Sequence, residues 1–477
     1  MIPMKQSAIV DARLSRDNQD GILRHTAGLA ARFLADLDAR PVAQPVDVQA
    51  LVERLGGPLP ASGCDARTVI DALVSASAPG LVASAGPRYF GFVTGGSVPA
   101  ALAADWLTSA WDQNASLHVM SPAAAAAEIV AGAWLVELFG LPSGASVGFT
   151  TGATMANFTA LAAARHAVLR RVGWDVETDG LVGAPAVTVV VGEDVHVSVL
   201  AAVQMLGLGR GRVRRVPVDG EGRMLVDRLA TALTESPGPT IVCAQAGNVA
   251  SGACDPFAEI AAVAERHGAW LHVDGAFGLW AATVPSLRTL VAGVERADSW
   301  ATDAHKWLNV PYDSGLVMVR DREAHRAAMT LEAPYLTAAA TVERDGSNWV
   351  PELSRRARGF TVYAALRALG RDGVAALVQR CCRLARRMAE LLAEAPGVTV
   401  LNDVVLNQVL VAFTPAGGGD RDRFTREVIR RVQADGTCWA GGTVWRGRAA
   451  MRISISNWST TTRDIERAAA AIRGACT

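Results

Sequence analysis

The sequence predicts an α/β protein. Its centre is a mostly parallel seven-stranded sheet with helices on both faces, flanked by an N-terminal helical arm and a small C-terminal α+β domain. Three observations carry that expectation. Seven short apolar runs, several Val-rich, recur between residues 146 and 319, and Ala/Leu-rich stretches of helical spacing separate some of them. Strands that alternate with helices imply parallel crossovers and a sheet covered on both faces. Half of the 477 residues are hydrophobic, enough for a large core and for two to four structural units at ~100–200 residues each. After about residue 350 the pattern changes to long Arg-rich amphipathic helices and short strands, the size of a second domain.

Residues 1–85 read as the helical arm, with apolar residues near helical spacing at 18–37 and 68–81. The large domain is expected over 86–345. It opens on a loop rich in Gly, Pro and aromatic residues, Pro87-Arg88-Tyr89-Phe90-Gly91-Phe92, followed by helices at 100–110 and 123–139. Its strands are expected at 146–150, 186–191, 213–216, 240–245, 269–274, 299–302 and 315–319, with a helix at 256–267. The C-terminal domain, 346–477, reads as helices at 354–369, 372–393, 422–434 and 462–475, with strands at 397–401, 407–413 and 451–455.

Lys+Arg and Asp+Glu both total 46, so there is no basic excess to neutralise phosphates. That argues against a nucleic-acid partner or a membrane surface. No stretch reaches ~18 uninterrupted apolar residues, the length of a membrane span; the best candidate, 123–141, carries Glu128 and Glu137. The N-terminus lacks the apolar core of a signal peptide. Seven cysteines are scattered without Cys-x-x-Cys spacing, which reads as a reduced, cytoplasmic chain with no metal site.

Lysine occurs only at Lys5 and Lys306; the other 44 of the 46 basic residues are arginine. A composition bias explains the arginines. It does not explain a lysine inside Asp303-Ala304-His305-Lys306-Trp307, and lysine, unlike arginine, can lose its proton and act as a nucleophile.

Ligands in an open α/β sheet sit beyond the carboxyl ends of the strands. After the first strand comes Thr151-Gly152-Ala153-Thr154-Met155-Ala156-Asn157, small residues opening a helix, which suits an anion or an ordinary helix cap. After the second comes His196. The run 269–273 ends on Asp274, an acid that needs a cationic partner if buried. Lys306 follows the run 299–302. A flat cofactor with a phosphate, a protonatable ring nitrogen and an aldehyde would use all four: the loop for phosphate, His196 stacked on the ring, Asp274 on the nitrogen and Lys306 as Schiff base.

These motifs resemble the pyridoxal-phosphate-dependent group II amino-acid decarboxylases, which include aromatic-amino-acid, histidine, glutamate and diaminobutyrate decarboxylases. The resemblance covers most of the chain. It extends to the 87–92 loop, Ser121-Pro122 leading to Glu128, and His196-Val197-Ser198-Val199. It also takes in Trp349, Leu353, Arg355 and Arg356 in the pattern Trp-x-x-x-Leu-x-Arg-Arg, and Met451-Arg452-Ile453-Ser454-Ile455-Ser456-Asn457. It implies pyridoxal 5′-phosphate as cofactor and a fold-type I homodimer with active sites at the subunit interface. It also implies Lys306 as the Schiff-base lysine, Asp274 as the pyridinium partner, His196 as the stacking residue, Gly152, Ala153 and Thr154 as the phosphate loop, and His305 close by, with Ala276 beside Asp274. Asp303 stands where aromatic-acid members have Asn, and a carboxylate there would repel a phosphate unless an arginine intervened. Asn248 stands where they have Thr. In the family a loop like 332–349 closes over the site and carries a tyrosine just after a proline; Pro334-Tyr335 fits, 29 residues beyond Lys306.

The expected activity is decarboxylation of an L-amino acid, with Tyr335 as proton donor to Cα. The alternatives are decarboxylation coupled to oxidative deamination, another carbon–carbon lyase or aminotransferase reaction, or a non-catalytic dimeric scaffold. Tyr89, Phe90, Phe92, Thr94, Trp111 and Trp349 are the candidates for the substrate pocket. Their aromatic members suggest an aromatic or apolar side chain, and plain packing equally well.

Overall fold

The computed structural model describes residues 19–330 and 344–476. The chain enters through α1 (Gln19–Ala35), α2 (Val48–Leu55), α3 (Ala66–Ser77) and α4 (Pro99–Trp111). Then α5 (Pro122–Phe139), α6 (Ala153–Arg170), α7 (Val197–Met205), α8 (Val226–Thr234), α9 (Phe257–Arg266) and α10 (Arg322–Met329) interleave with seven strands. These are β1 (Ser146–Thr150), β2 (Thr188–Gly192), β3 (Arg214–Val216), β4 (Thr240–Gln245), β5 (Trp270–Asp274), β6 (Ser299–Asp303) and β7 (Gly315–Val319).

The seven strands form one sheet in the order β1-β7-β6-β5-β4-β2-β3. Neighbours from β6 through β3 are parallel, and β7 runs antiparallel to both β6 and β1. The mostly parallel seven-stranded sheet is therefore present. Its strands are continuous apolar runs because both faces are covered. Alternate residues feed two cores: Val190, Val242, Leu271 and Val273 join one with α5 and α9, while Val189, Val191, Ile241 and Cys243 join the other with α6 and α7. By composition α5 could span a membrane, yet 44% of it is buried inside the molecule, and its Glu128 pairs with Arg355 at 2.6 Å. Arg355 also donates to Phe149 O at 2.9 Å, and Arg344 to Val147 O, so two guanidiniums held by Glu128 cover the free edge of β1.

The C-terminal part holds α11 (Gly359–Ala393), β8 (Val398–Val400), β9 (Gln408–Phe413), α12 (Arg421–Asp435), β10 (Gly441–Trp445), β11 (Arg448–Ser454) and α13 (Thr462–Gly474). The two helices expected at 354–369 and 372–393 run on as α11, broken only at Gly370, whose φ of 62° leaves the helical region. Residues 354–358 stay outside it because Arg355 is tied to β1 and Arg356 to Asp105, at 2.7 Å. The small antiparallel sheet has the order β10-β11-β9-β8. Its β10 goes unforeseen because Gly441-Gly442 interrupts any apolar alternation.

The 87–92 segment pairs with this small sheet. Phe90 N donates to Trp439 O at 2.8 Å and Ser454 N to Phe90 O at 2.9 Å. The buried Arg88 reaches Thr437 O and Asp38 O and pairs with Asp464 at 3.4 Å. The loop then passes Lys306 so closely that a Cβ at Gly95 would fall 1.7 Å from the Lys306 carbonyl oxygen; only glycine fits.

Candidate active site

Strands β1, β2, β4, β5 and β6 bring their carboxyl ends to one edge of the sheet, and the loops beyond them meet there. At the end of β1, Gly152 is the N-cap of α6 and has no capping side chain. Ala153 N donates to Asp303 Oδ1 at 2.6 Å, and Thr154 lies exposed on the first turn. Helix-start N–H groups without a cap favour an anion.

Asp303, the last residue of β6, also pairs through Oδ2 with Lys306 Nζ at 2.9 Å. His305 Nε2 lies 3.5 Å from its Oδ1. Among the described residues, the neighbours of this carboxylate are thus a helix N-terminus, a lysine and an imidazole, not an arginine. His305 Nδ1 accepts from Ser314 N at 3.2 Å, and its ring lies 4.4 Å from that of Tyr312. Burial lowers the His305 pKa, and Lys306 adds to that against the opposing pull of Asp303.

Asp274 ends β5, buried. Its Oδ1 accepts from Ala276 N at 3.1 Å and its Oδ2 from Asn157 Nδ2 at 3.2 Å. His196 caps α7, and its Nδ1 accepts from Ser198 N at 3.2 Å. A neutral ring held that way carries its proton on Nε2. Burial lowers the pKa of His196; Asp274 opposes the shift, and Lys306 and Arg452 reinforce it. Asp274, Lys306 and Arg452 are therefore each within electrostatic reach of His196.

Arg452 on β11 is a residue the sequence reading passed over. Its Nη1 donates to Val249 O at 3.2 Å, which leaves further guanidinium N–H groups to spare. The available signal was an arginine inside the apolar strand run Met451-Arg452-Ile453. Asn248 is buried and spends its Oδ1 on its own turn, accepting from Ala250 N at 2.9 Å and Ser251 N at 3.3 Å.

The aromatic candidates separate. Tyr89 and Phe92 both stack on Trp439, at 5.1 and 5.5 Å between centroids. Trp439 is a second residue not foreseen, since it lies nearly 350 positions further along the chain. Phe92 is 65% exposed, and it and Val93 hold left-handed φ of 53° and 59°. Non-glycine residues in that region store strain. Tyr89 has its pKa raised, first by burial and then by Tyr312, so the two phenols are near each other. Phe90 points into the core, 1% exposed, and Thr94 is buried. Trp111 packs edge-on to Phe360. Trp349 is placed elsewhere, against His325 and the guanidiniums of Arg322 and Arg344 beside β1. Tyr335 lies outside the described residues.

This donor set fits pyridoxal phosphate: an amine at Lys306, a buried carboxylate at Asp274, an imidazole at His196 that feels both charges, and a helix start at Gly152 without a side-chain cap, where Ala153 N–H is the one group spent on Asp303. The residue types and their convergence pass that test independently of any likeness to other proteins.

Comparison with known proteins bears on the same site. Residues 59–414 match the family model described as the pyridoxal-dependent decarboxylase conserved domain. The chain is 28% identical over 472 residues to tryptophan decarboxylase 1 of Oryza sativa subsp. japonica, covering 93% of this chain and 91% of that one. It is 32% identical over 379 residues to L-2,4-diaminobutyrate decarboxylase of Rhizobium meliloti (strain 1021), covering 78% and 74%. To phenylacetaldehyde synthase of Arabidopsis thaliana it is 25% identical over 467 residues, covering 94% of each. The crystal structure of Oryza sativa TDC with PLP and tryptamine superposes with a TM-score of 0.90 over 97% of this chain and 98% of that one, at 24% identity, a likeness of fold.

Proposed function

The chain belongs to the pyridoxal-dependent decarboxylase family and is a pyridoxal-phosphate-dependent amino-acid carboxy-lyase; from that premise we propose that it removes the α-carboxylate of an L-amino acid and returns a proton to Cα, releasing an amine. The observation that carries this reading is the meeting of Asp274 and His196, joined through Asn157 and Ser198, with the Lys306–Asp303 pair at the end of the neighbouring strand.

When bound, pyridoxal phosphate supplies the sink for the electron pair left at Cα as carbon dioxide departs. Lys306 would hold the aldehyde carbon, and its amine pairs with Asp303. Asp274 would hold a proton on the ring nitrogen by opposite charge. His196 would cover the ring face, and the start of α6 at Gly152, Ala153 and Thr154 would hold the phosphate. Arg452, which acts on His196 and has N–H groups to spare beyond its bond to Val249 O, would bind the substrate carboxylate. Tyr89, Phe92 and Trp439 offer a flat apolar wall, which favours an aromatic or apolar substrate side chain. Tyr335 delivers the proton to Cα.

The functional unit is a homodimer. Supporting this, α1, α2 and α3 contain no buried residue, and an apolar groove of about 630 Å³ runs between Leu34, Leu102, Trp106 and Trp458. The seven cysteines are free, in keeping with the cytoplasm.

The test is a screen of the standard amino acids with ornithine, diaminobutyrate and DOPA, scoring carbon dioxide, amine, aldehyde and peroxide together. Wild type should give carbon dioxide and amine in equal amounts. Tyr335→Phe should lose amine and, in the presence of oxygen, gain aldehyde and peroxide. Aldehyde as the main wild-type product would overturn the amine-forming reading in favour of coupled oxidative deamination, the outcome named for the phenylacetaldehyde synthase relative.

A further inference from the structure

Behind Asp274 runs a chain of hydrogen bonds that all point the same way. β5 carries Trp270, His272 and Asp274 at alternate positions, so the three side chains leave the face that α6 covers. Asp274 Oδ2 accepts from Asn157 Nδ2 at 3.2 Å. A carboxylate only accepts, so Asn157 must turn its NH₂ there. Its Oδ1 then accepts a hydrogen bond from His272 Nε2–H, at 2.9 Å. His272 is fully buried, and burial pushes its pKa down to about 4, so the neutral ring has no second proton. Its Nδ1 must accept from Ser299 Oγ, also at 2.9 Å. Ser299 Oγ in turn accepts from the indole Nε1 of Trp270 at 2.9 Å. An indole only donates. The two ends of the chain, one that cannot accept and one that cannot donate, fix the direction of every link between them.

Asn157, His272 and Ser299 are 0% exposed, Trp270 1% and Asp274 4%, so water does not interrupt the run. The other N–H of Asn157 reaches Ser198 Oγ at 3.1 Å, and Ser198 Oγ lies 2.8 Å from His196 Nδ1. One amide thus supports both the acid and the imidazole of the site.

We propose that His272, acting through Asn157 and backed by Ser299, is a positioning residue that keeps Asp274 ionised and aimed at the ring nitrogen of the cofactor. Hydrogen bonds donated to a carboxylate favour its charged form, and each donor in a chain polarises the next. A buried carboxylate without that support would keep the proton for itself, and the ring would lose its positive charge. The proposal rests on the reading of Asp274 given under Proposed function.

The experiment uses holoenzyme loaded with cofactor labelled with ¹⁵N in the ring, observed by NMR. A second readout is the equilibrium constant for cofactor release. Wild type should show a protonated ring nitrogen. Asp274→Asn should move the resonance to that of a free pyridine. His272→Phe should move it part of the way and weaken cofactor retention by up to about tenfold, the scale of one neutral hydrogen bond. His272→Gln keeps an N–H for Asn157 and should restore both readouts. Ser299→Ala should shift the resonance in the same direction by less, and it decides the matter if His272→Phe does not fold. An unmoved resonance in His272→Phe, or in Ser299→Ala when that variant must stand in, overturns the proposal if Asp274→Asn does move it. An unmoved resonance in Asp274→Asn overturns the assignment of Asp274 itself.

Discussion

Two regions of this molecule handle their difficult groups in opposite ways. At the carboxyl edge of the large sheet, acids, imidazoles and a lysine are drawn largely out of water, and Asp274, Asp303, His196 and Lys306 all have partners within the chain. Along the N-terminal arm and the α4 helix beside it, Leu23, Leu34, Val48, Val52, Leu73 and Trp106 stand exposed, each more than a third in water. The difference teaches where each kind of demand can be met. Polar groups need a few atoms at fixed distances, and parallel strand ends with their helix starts supply those locally. A helix's apolar stripe needs a whole facing surface, at about 25 cal/mol per Å² hidden, and a large exposed stripe marks a site of association.

The most severe test of the site half is Lys306→Arg. The guanidinium can keep the ion pair with Asp303 but does not deprotonate, so turnover should vanish while the chain stays folded. In wild type, borohydride reduction and peptide mapping should place the cofactor on Lys306; label on Lys5 would break the assignment. The arm half comes next. Deleting residues 1–85 should give monomer or aggregate without activity, and Trp106→Glu should do the same more gently by putting a charge in the apolar groove. Sedimentation of wild type should give about twice the 49.9 kDa chain mass. A fully active monomer from either variant would dissolve the contrast between the two regions.

The smallest effect concerns acid. Burial pushes His272 to about 4 and His325 to about 3, against 6.5 for a free imidazole. Between about pH 6.5 and 4 the unfolded chain binds more protons at these two sites than the folded one, so each removes stability as the pH falls. Asp255, pushed by burial up to about 6, works the other way over part of that range because its folded form holds the proton. With His196 and His305 lowered in the same way, and Glu221 and Asp298 raised alongside Asp255, four imidazoles stand against three carboxylates and leave a net loss on the acid side, at most about 1.4 kcal/mol per pH unit for each unopposed group. Melting temperature should fall from pH 7 to 5, and His325→Gln should fall less steeply. Equal slopes would mean that His325 takes up a proton without unfolding. The loss should begin at the large sheet, since both histidines bond to its strands, His325 to Ser146 Oγ of β1 at 2.8 Å and His272 to Ser299 Oγ of β6.

Much of the architecture was legible in the chain itself. β1, β4 and β7 lie at the expected residues, and the other strands of the large sheet differ by two residues or fewer at either end. Apolar runs and helical periods are local properties, so a strand buried on both faces announces itself. The order of motifs along the chain likewise singled out Lys306, Asp274 and His196 before any of them had a neighbour. The partners were decided by tertiary structure. Trp439 reaches Tyr89 and Phe92, and Arg452 reaches the His196 side, only because the small sheet folds back over the loop after the arm. Trp349 was a pocket candidate by composition, but α10 and the edge of β1 place it beside His325. Asp303 looked like a charge set against a phosphate. In the fold its Oδ1 meets Ala153 N, 150 residues earlier, because β1 and β6 end at the same edge of the sheet with β7 between them. Periodicity and composition act over a few residues, whereas strand order brings distant residues within a hydrogen bond of each other. The elements and the chemistry-bearing residues therefore belonged to the sequence, and which of those residues face one another was settled by the sheet.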